Sequence, residues 1–369
     1  MQTTRHEIRP INGTTFGTAS GSQPSARLEL NTGLLKNNCV KISGVLKMSG
    51  GKASPITLYS GVASLIDTIN VYSKKNNQLL QIMRNYPFYL QTMALLSAGE
   101  NMSRSKNITN LSYCLKESGL QASELHLSYD PLADTFEVPF EFVLDVPLLL
   151  NMVPLEAFGG LVIEMIMAQS AQSIEACTST PKVEYSLDNL RCRYETLEIP
   201  MKLPVELPLI HTDVRSVKLS SANEIVNLPV YLPNAVGIVA QMLDLTAQNT
   251  PTKNGYKPQG NLLRRVQFLL NGNRLEKMYE NTRSEDGGMV FLRDALSVLR
   301  PVETARRLMV KDADDYRENT IVGQSLEGAV GNLTIQLEAG LQMTDQILTV
   351  MFISRGAVSV DKQGQLSVV

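Results

Sequence analysis

The side chains best suited to chemistry are few and scattered in this sequence. The chain has three histidines, His6, His126 and His211, and none of them belongs to a recognisable metal-ligand motif. No G-x-S-x-G elbow is present to expose a nucleophilic serine. We therefore predict no catalytic residue, and we expect each histidine to be a satisfied or solvent-facing side chain.

Two segments look superficially like ligand loops but lack the residues that such loops need. The run SGGKAS at residues 49–54 is similar to a phosphate loop, yet Leu46 replaces the upstream glycine and Ala53 supplies no hydroxyl for Mg²⁺. The run KDADDY at residues 311–316 offers carboxylates of the calcium type, but Arg317 occupies the sharp-turn glycine position. The sequence therefore predicts a hairpin loop and a solvated acidic loop, with no metal and no cofactor.

The cysteines and the paired arginines carry no motif either. Arg264 and Arg265 point to opposite faces if they lie on a strand, so they form no phosphate patch, and we expect this pair and residues 306–307 to be solvated or salt-bridged. The four cysteines are far apart, form no C-x-x-C pair and are predicted to be buried or incidental thiols: Cys39, Cys114, Cys177 and Cys192.

Length and composition predict two soluble domains. The chain has 369 residues, of which 43% are hydrophobic and 19% charged, and at roughly 100–200 residues per domain it forms about two cores. A formal net charge of −2 provides no long-range field to gather a polyanion, which argues against a dedicated nucleic-acid binder. We find no apolar stretch typical of a signal peptide or a bilayer-spanning helix, and we expect folding in a reducing cell interior.

Alternation of apolar and polar residues with period two is the main structural signal. It is clearest in residues 135–145, where one face is apolar and Pro139, on the other face, favours an edge strand or a bulge. Similar runs lie at residues 161–167, at residues 183–194 with a change of phase before Leu190, and at residues 266–270, 333–339 and 348–352. The apolar face of the clearest run consists of Phe136, Val138, Phe140, Phe142 and Leu144.

Helical spacing is limited to a few segments, chiefly residues 87–96 and 289–299, and each follows strands and precedes a long polar connection. This repeated order predicts an all-β protein of two tandem jelly-roll β-sandwiches with short flanking helices. We place a flexible N-terminal arm at residues 1–24, the first jelly roll at 25–199, a proline-rich connector at 200–209 and the second jelly roll at 210–369. The loops at about 98–125 and 243–262 are long enough to be functional or mobile.

Several segments, in their order along the chain, resemble the motifs of one known family. The run GVASLIDTINVY at residues 61–72, followed by NQLL at 77–80 and NY at 85–86, resembles the first-domain signature of double jelly-roll major capsid proteins of icosahedral DNA viruses. That lineage includes tectiviruses, polinton-like elements and adenovirus hexon. Residues 138–142, 153–169 and 185–194 resemble later strands of the same domain, and residues 266–275, 291–299 and 333–352 resemble the second domain.

The resemblance implies a structural protein and not an enzyme. It implies a homotrimer that forms a pseudo-hexagonal capsomer, located in the virion capsid and assembled inside the host cell. Implied partners are neighbouring capsomers, penton and minor capsid proteins, and an internal membrane or the genome reached by the N-terminal arm, with no specific nucleic-acid sequence. The alternative is a carbohydrate-binding or spike-like tandem β-sandwich, whereas a cupin-type enzyme would need a cluster of histidine and carboxylate ligands.

Overall fold

The structure of the chain is a computed structural model. It describes residues 2–49, 56–58, 61–97, 128–130, 135–169, 174–176, 184–199, 203–246, 263–280, 295, 298, 321–339 and 345–368. No helix in these ranges has the length and apolar character needed to cross a membrane.

In the described residues, the first half contains short and medium strands and one α-helix, α1 (Tyr86–Ser97). Turns of 3-10 helix lie at Val62–Leu65, Pro147–Leu150 and Leu155–Phe158. The strands are β1 (Thr3–Ile8), β2 (Thr15–Gly17), β3 (Ser25–Leu30), β4 (Leu34–Leu35), β5 (Lys41–Ser49), β6 (Ile56–Leu58), β7 (Ile66–Ser73), β8 (Leu79–Met83), β9 (Ser128–Asp130), β10 (Thr135–Val143), β11 (Val153–Pro154), β12 (Leu161–Met167), β13 (Ile174–Ala176) and β14 (Glu184–Leu197).

The second half contains longer strands. They are β15 (Val205–Lys218), β16 (Asn223–Asp244), β17 (Leu263–Leu270), β18 (Asn273–Glu280), β19 (Ile321–Ala339), β20 (Gln346–Val360) and β21 (Leu366–Val368).

Two large sheets organise these strands. The first sheet has the order β11-β4-β14-β5-β10-β9, with β1 and β2 also paired to β14. The second sheet has the order β18-β17-β19-β16-β20-β15-β8-β7-β12-β3, with β21 added to β20, and it runs through both halves. Its two parts meet where β8 and β15 pair in parallel at Met83 and Thr212. The all-β prediction is confirmed, and one continuous apolar core includes residues from both sheets.

The alternating segments behave as their sequences predict. On β10, Val138, Phe140 and Phe142 are buried, and Leu144 just beyond the strand is buried with them. Strand β9 pairs only with residues 135–137, so β10 is an edge strand at Pro139 among the described residues. The predicted change of phase in β14 is a bulge in the pairing with β5, between Asp188 and Arg191.

Strand β16 changes partners along its length. Among the described strands, residues from Asn223 to Pro229 pair only with β19, whereas residues from Gly237 to Gln241 lie between β19 and β20. Shifts of register separate the two parts, between Pro229 and Gly237. The burial pattern changes at the same place. Side chains alternate between buried and exposed up to Tyr231, and they are all buried from Ile238 to Leu243.

The N-terminal segment differs from its prediction. The sequence predicts a flexible arm over residues 1–24, but β1 pairs antiparallel with β14 from Thr3 opposite Leu197 to Ile8 opposite Cys192. Phe16 of β2 is fully buried in the core. The prediction is wrong for residues 2–24 because main-chain pairing with a strand about 190 residues later stabilises a segment whose own composition is too polar to fold.

Two further predictions meet the structure only in part. The connector ends earlier than predicted, since Val205–Lys218 is already strand β15 and includes Pro208. Helix α1 contains the predicted segment 87–96. In the segment 289–299 the structure describes residues 295 and 298, both helical and buried, and the other positions lie outside the described residues. The loops at 98–125 and at 247–262 also lie outside them.

Candidate functional site

The chemistry-bearing residues singled out in the sequence do not come together where the structure describes them. His6 on β1 stacks on Tyr194, with ring centroids 4.6 Å apart, and its Nε2 lies 2.8 Å from the Thr196 hydroxyl. His211 lies on β15 in the second sheet, and His126 lies outside the described residues. Within the described ranges, no group of three histidine, cysteine or acidic side chains could hold a metal ion.

The two described cysteines are held by burial and by main-chain contacts. The Cys39 thiol lies 3.0 Å from the carbonyl oxygen of Lys36, and burial raises its pKa. Burial also raises the pKa of Cys192 to about 12. A thiol must ionise to act as a nucleophile, so burial disfavours nucleophilic chemistry at both of these cysteines. Cys114 and Cys177 lie outside the described residues.

Of the remaining candidates from the sequence, the structure describes Arg264 and Arg265. Arg265 forms an ion pair of 3.3 Å with Glu338 across β17 and β19, while Arg264 is exposed on the opposite face. The loop at residues 50–54, the arginines at 306–307 and the acidic segment at 311–317 lie outside the described residues. The features of the described residues that could serve a function are therefore extended surfaces and not single side chains.

A buried joint connects the two halves. The Gln81 amide Nε2 donates to the carbonyl of Ile210 on β15 at 2.8 Å, and its Oε1 accepts from the backbone N–H of Leu148 at 2.8 Å. Asn151 donates from Nδ2 to the carbonyl of Pro208 at 3.0 Å. Because a buried amide that loses its hydrogen bonds costs free energy, the contacts of Gln81 hold β15 in position against the first half.

A helical layer completes the joint on the fully buried part of β16. Gln241 of β16 donates from Nε2 to the Thr92 hydroxyl of α1 at 2.6 Å. Gly237, four residues earlier on the same face of β16, has so little space that an added Cβ would lie 2.6 Å from Val298. Both halves therefore contribute helical residues to the layer that covers this face.

The outer face of the first sheet is covered by ion pairs, and we call it the charged face. Glu7 accepts from Arg193 at 2.8 Å and from Arg191 at 3.1 Å, and Arg193 lies 3.6 Å from Glu141. These contacts connect β1, β14 and β10. Further ion pairs on this face are Lys41–Glu141, Lys36–Glu195, Arg5–Glu195, Lys47–Glu137 and Lys47–Asp188.

The charges of this face perturb one another in the direction expected for opposite neighbours. Hydrogen bonding to Arg193 lowers the pKa of Glu7, and hydrogen bonding to Lys36 lowers the pKa of Glu195. Hydrogen bonds to Glu137 and then to Asp188 raise the pKa of Lys47. The positive and negative side chains of the charged face thus largely neutralise one another.

The outer face of the second half is different, and we call the region defined here the uncharged face. Strand register places residues of β16, β19, β17 and β18 side by side on it in two rows. The first row is Ile225, Gln336, Gln267 and Met278. The second row is Asn227, Thr334, Leu269 and Arg274. Among the described side chains of these rows only Arg274, on the outermost strand, is charged.

Sequence reasoning did not identify the uncharged face. In β16 the exposed Ile225 precedes the buried Val226, and the exposed Tyr231 follows the buried Val230. Two adjacent apolar residues do not reveal which one points outward. The available signal was the shortage of charged residues at alternate positions of several strands, and this signal has meaning only when the strand order is known.

No protein-family model matches the sequence, and no curated protein matches it. Its fold, however, matches solved structures over nearly the whole chain. The Faustovirus major capsid protein aligns with a TM-score of 0.66 and 6% identity, covering 97% of this chain and 90% of that one. The quasi-atomic model of the PBCV-1 virus capsid aligns with a TM-score of 0.61 and 10% sequence identity, and the alignment covers 100% of this chain and 97% of that one.

The mavirus major capsid protein gives a TM-score of 0.57 and 9% identity, covering 99% of this chain and 90% of that one. At such low identity these likenesses establish the fold, which is the double jelly roll that these capsid structures share. The fold expected from the resemblance in the sequence is confirmed.

Proposed function

We propose that this chain is a major capsid protein, a structural subunit that builds the shell of an icosahedral DNA virus. The observation that carries the proposal is the fold: a chain of this length matches capsid proteins from end to end, with 97% of it covered by the Faustovirus structure. A fold alone does not fix a function, so the proposal also needs features suited to assembly.

The joint between the halves is one such feature. A shell subunit must present several contact surfaces at fixed mutual positions, and this requires its domains to move as one body. The buried hydrogen bonds of Gln81 and the contact of Thr92 with Gln241 lock the halves together at two separate places. Interfaces between domains are mobile by default unless they are large and well packed, and this joint is buried and hydrogen-bonded.

The finer proposal is that three copies form a pseudo-hexagonal capsomer in the virion. Two jelly rolls per chain, repeated by threefold symmetry, present six similar units to a hexagonal lattice. The capsomer would contact neighbouring capsomers and the penton and minor capsid proteins that close the shell. A flexible arm reaching a membrane or genome is not part of this proposal, since β1 is paired to β14.

Native mass spectrometry of the purified full-length chain tests this function. We expect a dominant species of three times the chain mass of 40.7 kDa at micromolar concentration. Negative-stain electron microscopy of concentrated protein should show hexagonal particles or sheets. A species that stays monomeric up to the solubility limit, with no ordered assembly, would rule the proposal out.

A further inference from the structure

We propose that the uncharged face is the surface on which a second copy of this chain docks. The inference rests on the proposed function, because a shell subunit must bind its own kind, and it adds the location of that contact. It commits to the outer side of β16, β19, β17 and β18, and to Ile225, Tyr231 and Met278 as the apolar residues that the neighbouring copy covers.

Exposure is the first observation. Ile225 is 62% exposed, Tyr231 is 81% exposed and Met278 is 52% exposed. Ile225 and Met278 lie in one row across the sheet, and the alternating burial of β16 places Tyr231 on the same face. Polar side chains separate these three on the face, so together they form a mixed apolar and uncharged surface and not one contiguous apolar patch.

Charge is the second observation. Between the apolar residues lie amides and a hydroxyl, with Thr334 donating to Asn227 Oδ1 at 2.7 Å. Few charged groups lie near this surface: Arg265 is paired with Glu338 next to the first row, Arg274 ends the second row on the outermost strand, and Arg215 reaches the carbonyl of Pro229, between Asn227 and Tyr231. Interface centres are depleted in charge and enriched in Tyr and Met, and this arrangement has that composition.

The same composition favours a second copy over other partners. A face with few charges offers nothing to attract a polyanion or an anionic lipid surface, both of which bind through clustered Lys and Arg. Amides both donate and accept hydrogen bonds, so an amide-rich surface can pair with another surface of this chain without leaving a charge buried. In the described part of the chain, β18 also pairs only with β17, so its outer edge can hydrogen-bond to a neighbour.

A charge introduced on the uncharged face tests the location. We expect Ile225→Glu to fold normally, as judged by circular dichroism, and to raise the concentration at which the oligomer half-dissociates by at least about 10-fold, because the new carboxylate would be buried without a partner. Ile11→Glu is the matched control, since Ile11 is 59% exposed in the first half. It should leave the oligomer unchanged in analytical ultracentrifugation.

A photo-crosslinker at position 231 identifies the occupant. The crosslinking amino acid replaces Tyr231 in an equal mixture of isotopically light and heavy protein, and mass spectrometry reads the linked peptides. Mixed light–heavy links would support a second copy, whereas links only within one copy would show that the chain covers this face itself. An oligomer that forms normally in Ile225→Glu without mixed links would overturn this location and leave the proposed function standing. A wild-type chain that remains monomeric would overturn both.

Discussion

The charged face and the uncharged face are outer sides of β-sheets in one chain, yet they are built from opposite residues. On the charged face, side chains of opposite sign alternate across neighbouring strands, as in the run from Arg191 through Glu7 and Arg193 to Glu141. On the uncharged face the corresponding positions hold apolar side chains, amides and a threonine, and the single charged residue of the two rows is Arg274 on the outermost strand.

The two faces therefore differ in hydration: water solvates the charged side chains of the first well, and the apolar side chains of the second poorly. The ion pairs of the charged face are exposed, and exposed pairs contribute little stability because solvent screens them. Covering that face would require desolvating many charges, and such a cost often exceeds the Coulombic gain. The uncharged face loses little when it is covered, which is why we assign the contact with a second copy to it.

The strands that carry the two faces are held in place by different buried layers. Beneath the charged face lies an apolar layer that includes Phe140 and Phe142, whose rings stack with centroids 5.9 Å apart. Beyond the uncharged face, the continuation of β16 is fixed by the helical layer at Gly237 and Gln241. We expect mutations to these supports to cost far more than mutations to the outward side chains.

The largest effect is expected for Phe140→Ala. Phe140 is buried, so the lost transfer free energy and the cavity should destabilise the chain by about 3–5 kcal/mol. Glu141→Ala, one position along on the charged face, should cost less than about 1 kcal/mol because its ion pairs are solvent-screened. Urea unfolding compares the two variants. Equal costs would mean that the charged face, and not the layer beneath it, holds β10.

A smaller effect is expected where the helical layer meets the second half. In Gly323→Ala the new Cβ would lie 2.3 Å from the Cα of Ala295, so the backbone must shift, at a cost of about 1–3 kcal/mol. Gly331→Ala is the matched control on the same strand, since its new Cβ would meet only the Asn271 side chain at 3.5 Å. Thermal unfolding should show a lower midpoint for Gly323→Ala than for Gly331→Ala. The reverse order would mean that the helical layer does not press on β19.

Much of the fold could be predicted because local signals agree with the final pairing. The alternation in residues 135–145 became β10, and the change of phase before Leu190 became a bulge in which Asn189 has φ of 51°, a conformation that asparagine tolerates. The turn after residue 270 is formed by Asn271 and Gly272, which both have positive φ as a two-residue hairpin requires. In each case neighbouring residues carry the information.

What could not be predicted depends on partners distant in sequence. Residues 3–8 read as a polar arm because their stabilising contacts come from β14, through main-chain pairing and through Glu7 with Arg191 and Arg193. The uncharged face is likewise defined by four strands whose order no local pattern states. The wrong prediction for the N-terminal arm and the missed uncharged face both concern surfaces on which a strand meets a distant segment of the chain.

The smallest effect concerns the charges that hold β1. The pKa of Glu7 is lowered from its ordinary value of 4.5, chiefly by its hydrogen bond to Arg193. A carboxyl whose folded-state pKa is depressed stabilises the folded state above the unfolded value, and this contribution is lost as pH falls through the folded-state pKa. The ion pairs of Glu7 should therefore support β1 at neutral pH and cease to support it in acid.

Comparing Glu7→Gln with the wild type at matched pH isolates this contribution, because intrinsic hydrogen-exchange rates then differ only at residues 7 and 8, whose rates are corrected for the substitution. At about pH 6 the amides of residues 3–8 should exchange faster in Glu7→Gln, and in acid, once the pH has fallen through the folded-state pKa of Glu7, the difference should shrink toward zero. Glu206→Gln changes an exposed glutamate on β15 and should match the wild type in β1 at both pH values. If Glu7→Gln also matches the wild type at about pH 6, the charged face is only a solvated surface, and main-chain pairing with β14 holds the N-terminal strand without help from its charges.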